Sequence, residues 1–162
     1  RLADTTERTL GLDIAPALIA VARERFARPG LQFEVADLGA PGDLVPTAVF
    51  DRVVSVEVLQ HLTSTETSAL LHWLRESLAP GFRILFSGIP DHARLQAFYD
   101  TEERWAHYER MRAAGTEQIG HWWQRTELAD LAGEARLRVR FVDLPATYYT
   151  SHYRFDAVLE AG

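Results

Sequence analysis

Two short apolar runs that each end in an aspartate constrain this chain more than any other feature. Thr9-Leu10-Gly11-Leu12-Asp13 leads into Ala15 to Phe26, an amphipathic segment with Pro16 in its first turn, and Leu31 to Ala36 repeats the pattern up to Asp37. A short apolar run followed by a helix that opens on proline reads as a buried strand and its crossover helix. An acid at the carboxyl end of such a strand stands where open α/β sheets hold the ribose of a nucleotide-like ligand. Taken alone, Asp13 is equally well a turn former, and Asp37 is the weaker signal because Asp-Leu-Gly also opens a solvated loop.

Strand and helix signals alternate as far as residue 87, which predicts a parallel sheet with helices on both faces. The first helix is expected to turn Leu18, Ile19, Ala22 and Phe26 inward and to stop at Pro29-Gly30. A loop rich in Gly, Pro and Asp covers residues 39–47. Phe50 to Val56 follows as a strand whose Val53, Val54 and Val56 are too dense for one exposed face. Thr63 and Glu66 have capping-box spacing, and Leu70, Leu71, Leu74 and Leu78 recur at helical intervals until Pro80-Gly81. Arg83 to Ser87 is the last strand expected in the parallel part.

Beyond it the pattern changes. Leu95, Phe98, Tyr99, Trp105, Tyr108 and Met111 recur at three- and four-residue steps, which predicts a helical insertion at about 92–120. Its aromatic stripe is first a packing face, and otherwise a lid over a substrate or a contact in a homodimer. A helix from near Thr126 carries Leu128, Leu131 and Ala132 inward. Leu137 to Leu144 and Tyr153 to Leu159 then read as an antiparallel pair. Trp122 and Trp123 are expected to cover the core or a pocket mouth, and Tyr148, Tyr149 and Tyr153 either line a pocket or are ordinary loop tyrosines.

The 162 residues fit one domain, with no repeat or linker. All seventeen basic residues are arginine against 23 acids, and the net charge of −6 disfavours a nucleic-acid partner, since no basic patch is concentrated here. No apolar run approaches the roughly 20 residues of a membrane span, and no secretion signal is present, so a cytoplasmic protein with a small-molecule partner is expected. The absence of cysteine excludes disulfides and thiolate metal sites. The six histidines show no close pair on one helix, so no metal is expected. No Gly-x-Ser-x-Gly turn supports a serine hydrolase.

Asp13, Asp37, the segment Phe50-Asp51-Arg52-Val53-Val54-Ser55-Val56-Glu57-Val58-Leu59-Gln60-His61-Leu62, and Leu78-Ala79-Pro80-Gly81-Phe82-Arg83-Ile84-Leu85 together resemble the class I S-adenosylmethionine-dependent methyltransferases of small-molecule type. The closing segment, His121-Trp122-Trp123 to Phe155-Asp156-Ala157-Val158, is similar to their carboxyl half. The resemblance implies a Rossmann-like α/β fold with a carboxyl-terminal antiparallel hairpin and S-adenosylmethionine as cofactor. By it, Asp13 with Ile14 would hold the cofactor ribose, Asp37 with Leu38 the adenine, and Val56 and Glu57 would lie near the methionine part. It also implies a glycine-rich first strand-turn-helix unit, with its strand between Thr9 to Leu12 and Phe50 to Val56. That unit is expected upstream of Arg1, as at least roughly 30 further residues. Ala15 and Phe82 replace a Ser and a Gly common in the family.

Two histidines are candidate catalytic residues. His61, one turn beyond Glu57, and His121, before the tryptophan pair, have the imidazole that serves general-base chemistry near neutral pH, although a structural histidine bound to a neighbouring loop fits each position better. His92 is a weaker candidate. Two other function classes stay open: a non-catalytic methyltransferase-like subunit that binds or stabilises a partner, and an NAD(P)-dependent oxidoreductase, since an acid after the second strand also holds a nicotinamide nucleotide's ribose.

Overall fold

The computed structural model describes residues 6–43 and 50–162, so the end of the predicted loop at 39–47 lies outside the described residues. β1 (Thr9–Asp13) and β2 (Leu31–Val35) pair in parallel, with Thr9 opposite Leu31 and Asp13 opposite Val35. α1 (Pro16–Phe26) connects them, as the apolar run and proline predict. Its face is less covered than its periodicity suggests. Ile19 is buried, but Leu18 and Phe26 are each 59% exposed.

The remaining strands are β3 (Arg52–Val56), β4 (Arg83–Pro90), β5 (Leu137–Asp143) and β6 (Arg154–Ala161), in the spatial order β3-β4-β6-β5. β3 and β4 are parallel, whereas β6 runs antiparallel to both β4 and β5. The predicted terminal hairpin is therefore present, with its second strand seated against the parallel part. β4 extends three residues past the expected end at Ser87, because pairing with β6 resumes at Ile89 after a register break beyond Phe86.

Among the described residues β1 pairs only with β2, and β3 only with β4. Each keeps one free edge. The expectation that β3 is covered on both faces does not hold here, since Val54 and Val56 are 48% and 60% exposed. Apolar density in a strand reports what it can bury, and a neighbour is still needed to bury it.

The main core lies where α2 (Ser64–Ser77) and α5 (Arg125–Glu134) cover the four-stranded sheet. Leu70, Leu71 and Leu74 of α2 and Leu128 and Ala132 of α5 meet Ile84 and Phe86 of β4 and Phe155, Ala157 and Leu159 of β6. The alternation along β4 and β6 follows from the two-residue period of a strand. Between β4 and α5 lie a short turn, α3 (Leu95–Phe98) and α4 (Glu102–Ala113). Here the aromatic stripe packs as a second cluster, in which Leu95, Tyr108, Trp122 and Tyr153 are buried and Phe98, Tyr99, Trp105 and Ile119 pack against them. Among the described residues no helix is long and apolar enough to cross a membrane.

α2 starts on the capping box read from the sequence. Thr63 Oγ1 accepts the Glu66 N–H at 3.2 Å, and Glu66 Oε2 accepts the Thr63 N–H at 2.7 Å. Donation from the Thr63 backbone, and then from its hydroxyl, holds the Glu66 carboxyl below its ordinary value. A depressed carboxyl stabilises the fold above the ordinary glutamate range and loses that contribution as the pH falls through the depressed value. Thr63→Ala should cost about 1 kcal/mol in chemical denaturation. In thermal melts from neutral to acidic pH, Glu66→Gln should flatten part of the acid-side loss seen in the parent chain.

Candidate ligand-binding site at the strand ends

Asp13 closes β1, and its carbonyl accepts the Ala36 N–H at 3.0 Å, so the loop to Asp37 begins directly beside it. Asp13 Oδ1 accepts the Ala15 N–H at 2.8 Å, and Asp37 Oδ1 accepts the Gly39 N–H at 2.8 Å. Both acids thus make the local turn that such residues favour. Ionised carboxylates have four acceptor positions, and both side chains are exposed, so the turn bond orients each group without exhausting it. Ile14 projects to solvent at 65% exposure, whereas Leu38 packs against the main core and anchors the second loop. The structure therefore brings Asp13, Ile14, Asp37 and Leu38 to the carboxyl ends of two paired strands.

Val56 and Glu57 occupy the corresponding end of β3. Glu57 has a left-handed backbone with φ 57°, uncommon for a residue with a side chain, and its N–H donates to the Ser87 carbonyl at 2.9 Å. The neighbouring residue on β4 is Gly88, at φ 75°. A Cβ there would lie 2.9 Å from Glu57 Cγ, so only glycine leaves room for this glutamate.

The two histidines are joined by Gln60. His61 ends a single 3₁₀ turn, Leu59–His61, and is exposed, with Nε2 at 3.2 Å from Gln60 Nε2. The His121 N–H donates to the Gln60 carbonyl at 2.7 Å, and its half-buried ring places Nε2 at 3.6 Å from Glu127 Oε2. Only a protonated imidazole would make that contact an ion pair. Trp123 fixes the same turn from below: it is fully buried, and its Nε1 donates to the Leu59 carbonyl at 3.0 Å. His92, by contrast, is exposed and engages Trp123 only through its backbone N–H.

Sequence reading missed Gln60, Gly88 and the buried Arg154 of β6. The available signal was Arg154-Phe155-Asp156, two charges flanking an apolar residue in a strand otherwise built for the core. Of the three loop tyrosines, Tyr153 is buried in the aromatic cluster, whereas Tyr148 and Tyr149 are 59% and 84% exposed. A hydrogen bond with Tyr153 raises the Tyr149 hydroxyl above its ordinary value. The buried Asp91 accepts Arg125 Nη2 at 2.8 Å, and that same nitrogen reaches Asp143 Oδ1 at 2.7 Å, which ties the end of β4 to α5 and β5. Burial alone would lower Arg125, but its bonds to Asp143 and Asp91 outweigh this and raise it. Among the described residues no group of three or more His, Asp or Glu side chains could hold a metal ion.

A family model described as a methyltransferase domain matches residues 1–81, half of the chain, and includes Asp13, Asp37 and Glu57. The chain belongs to the methyltransferase-domain family. Solved structures share its fold at low identity. One is an S-adenosylmethionine-dependent methyltransferase from Methanosarcina mazei, 16% identical with a TM-score of 0.68, over 98% of this chain and 82% of that one. Another is magnesium protoporphyrin IX methyltransferase from Synechocystis with bound S-adenosylhomocysteine, 17% identical with a TM-score of 0.67, over 99% of this chain and 67% of that one. LepI in complex with S-adenosylmethionine is 14% identical with a TM-score of 0.64, over 98% of this chain, which spans 37% of LepI's length. No curated protein matches the chain. The methyltransferase-domain match stops at Gly81, so β4, β5, β6 and the aromatic cluster lie outside it.

Trp123→Phe would leave a small void in the core and remove one of the two donors to the Leu59 carbonyl, which keeps the Leu62 N–H at 3.2 Å. The expected loss is about 1–3 kcal/mol in chemical denaturation, with the fold retained by circular dichroism.

Proposed function

We propose that this chain is an S-adenosylmethionine-dependent methyltransferase that acts on a small-molecule acceptor. The observation that carries the reading is the pair of oriented, exposed acids, Asp13 and Asp37, at the ends of adjacent parallel strands within the region matched as a methyltransferase domain. The donor set fits the cofactor. Asp13 would accept hydrogen bonds from the ribose hydroxyls, with Ile14 as an apolar neighbour, while Asp37 and the Leu38 backbone would contact the adenine. Val56 and Glu57 would hold the methionine part, where a carboxylate suits an amino group and a positive sulfur.

When bound, the cofactor supplies a methyl group already activated by that positive sulfur. The chain's own task is then to hold an acceptor in line, exclude water and accept a proton where the acceptor carries one. His61 and His121 are the proposed proton acceptors, and Glu127 beside His121 would stabilise the imidazolium that results. In this reading residues 92–120 form a helical insertion in a single domain spanning 1–162, and their aromatic cluster borders the acceptor side. A small-molecule acceptor is supported by likeness to the Synechocystis enzyme, whose substrate is a porphyrin.

Calorimetric titration with S-adenosylhomocysteine tests the reading. The complete protein should bind, and Asp13→Ala in it should weaken affinity about tenfold or more, as expected for a lost hydrogen bond to a charged group. Unchanged affinity would remove the proposed pocket. NADH binding in place of S-adenosylhomocysteine would assign a nicotinamide-dependent oxidoreductase, and co-purification of an active partner without cofactor binding would assign a non-catalytic subunit.

A further inference from the structure

Arg154 is 4% exposed, and its guanidinium is spread over three parts of the site. Nη1 donates to Gln60 Oε1 at 2.6 Å and to the Gly88 carbonyl, while Nη2 lies 4.0 Å from Glu57 Oε2. The group sits over the Tyr153 ring, 4.9 Å from its centroid, and the buried Nε has no hydrogen-bond partner among the described residues. Two residues along β6, Asp156 Oδ1 accepts the Gly88 N–H at 2.9 Å. Residues two apart on a strand share a face. One face of β6 therefore grips both main-chain polar groups of a single glycine.

That glycine stands in the register break between Phe86 and Ile89, where a bulge interrupts the ladder and leaves main-chain groups to find other partners. Arg154 and Asp156 supply them. The bulge in turn forms the surface against which Glu57 rests, since Gly88 abuts Glu57 Cγ and Ser87 accepts the Glu57 N–H. Gln60, the other partner of Nη1, contacts His61 through its side chain and His121 through its carbonyl. Stability alone is a weak reason to bury such a cation, because apolar side chains of similar volume commonly replace buried ion pairs without loss.

We propose that Arg154 and Asp156 clamp the Gly88 bulge and thereby position Glu57, with Arg154 also setting the Gln60-His61 turn. Arg154 is then a positioning residue of the binding site. The proposal deepens the methyltransferase reading and rests on it only for what Glu57 holds. The clamp is tested without any ligand, by amide hydrogen exchange in the full chain. In Arg154→Met the Glu57 and Gly88 amides should exchange about tenfold faster or more, while the Ile84 and Leu85 amides in the middle of β4 keep their rates. Arg154→Lys, which retains a cation and a donor, should fall between. Unchanged exchange at Glu57, or uniform acceleration along β4, overturns the clamp. Should Arg154→Met fail to fold, Asp156→Ala carries the same expectation at the same amides.

The link to binding is read by a double-mutant cycle with S-adenosylhomocysteine. Arg154→Met should weaken affinity about tenfold in the parent chain and have no further effect in a Glu57→Gln background. Additive losses would mean that Arg154 does not act through Glu57, and would overturn its positioning role. A complete protein that binds no S-adenosylhomocysteine would sink the cofactor reading, while the exchange rates still decide the clamp.

Discussion

Strand β6 is hydrogen-bonded on both sides, to β4 and to β5, and its alternate residues Phe155, Ala157 and Leu159 are fully buried beneath α2 and α5. Its other face carries Arg154 and Asp156 to the bulge in β4. This strand thus builds the core with one set of side chains and braces the β4 bulge beside Glu57 with the other. Because strand periodicity is fixed at two, these roles are coupled: a shift of one residue along β6 would exchange them. Seven register pairs with β5 and the resumed pairing with β4 hold β6 against that shift.

Much of the fold was legible because its signals are local. The proline at the start of α1, the Thr63-Glu66 box and the leucine spacing of α2 each act within a turn or two, and the structure shows all three. What the sequence did not reveal was whether a partner exists for each apolar face. Leu18, Phe26, Val54 and Val56 satisfy their pattern and still stand exposed along α1 and the free edge of β3. The extension of β4 past Ser87 was hidden for a similar reason, since it follows from pairing with a strand that lies about 70 residues later in the chain.

The candidate site divides along the same line. Asp13 and Asp37 were readable, since each stands at the end of an apolar run, and their turn-forming and ligand-binding readings prove compatible: the turn bond aims the carboxylate. Gln60, Gly88 and Arg154 were not readable. Gln60 and Gly88 meet Arg154 across 94 and 66 residues of sequence, and nothing in their own neighbourhoods marks them except the charge pair around Phe155. The fold is shared at 14 to 17% identity with the three solved structures described above, so the scaffold tolerates wide change while chemistry is decided at a few positions.

Glu57 illustrates how such a position is kept. A left-handed backbone costs a branched or long side chain about 1–2 kcal/mol, and glycine or asparagine would relax there with less penalty. The Glu57 N–H bond to the Ser87 carbonyl and the close approach of Gly88 hold the glutamate in this pose. The strain sits at the rim of the sheet, beside the β4 bulge, and apart from the buried layers.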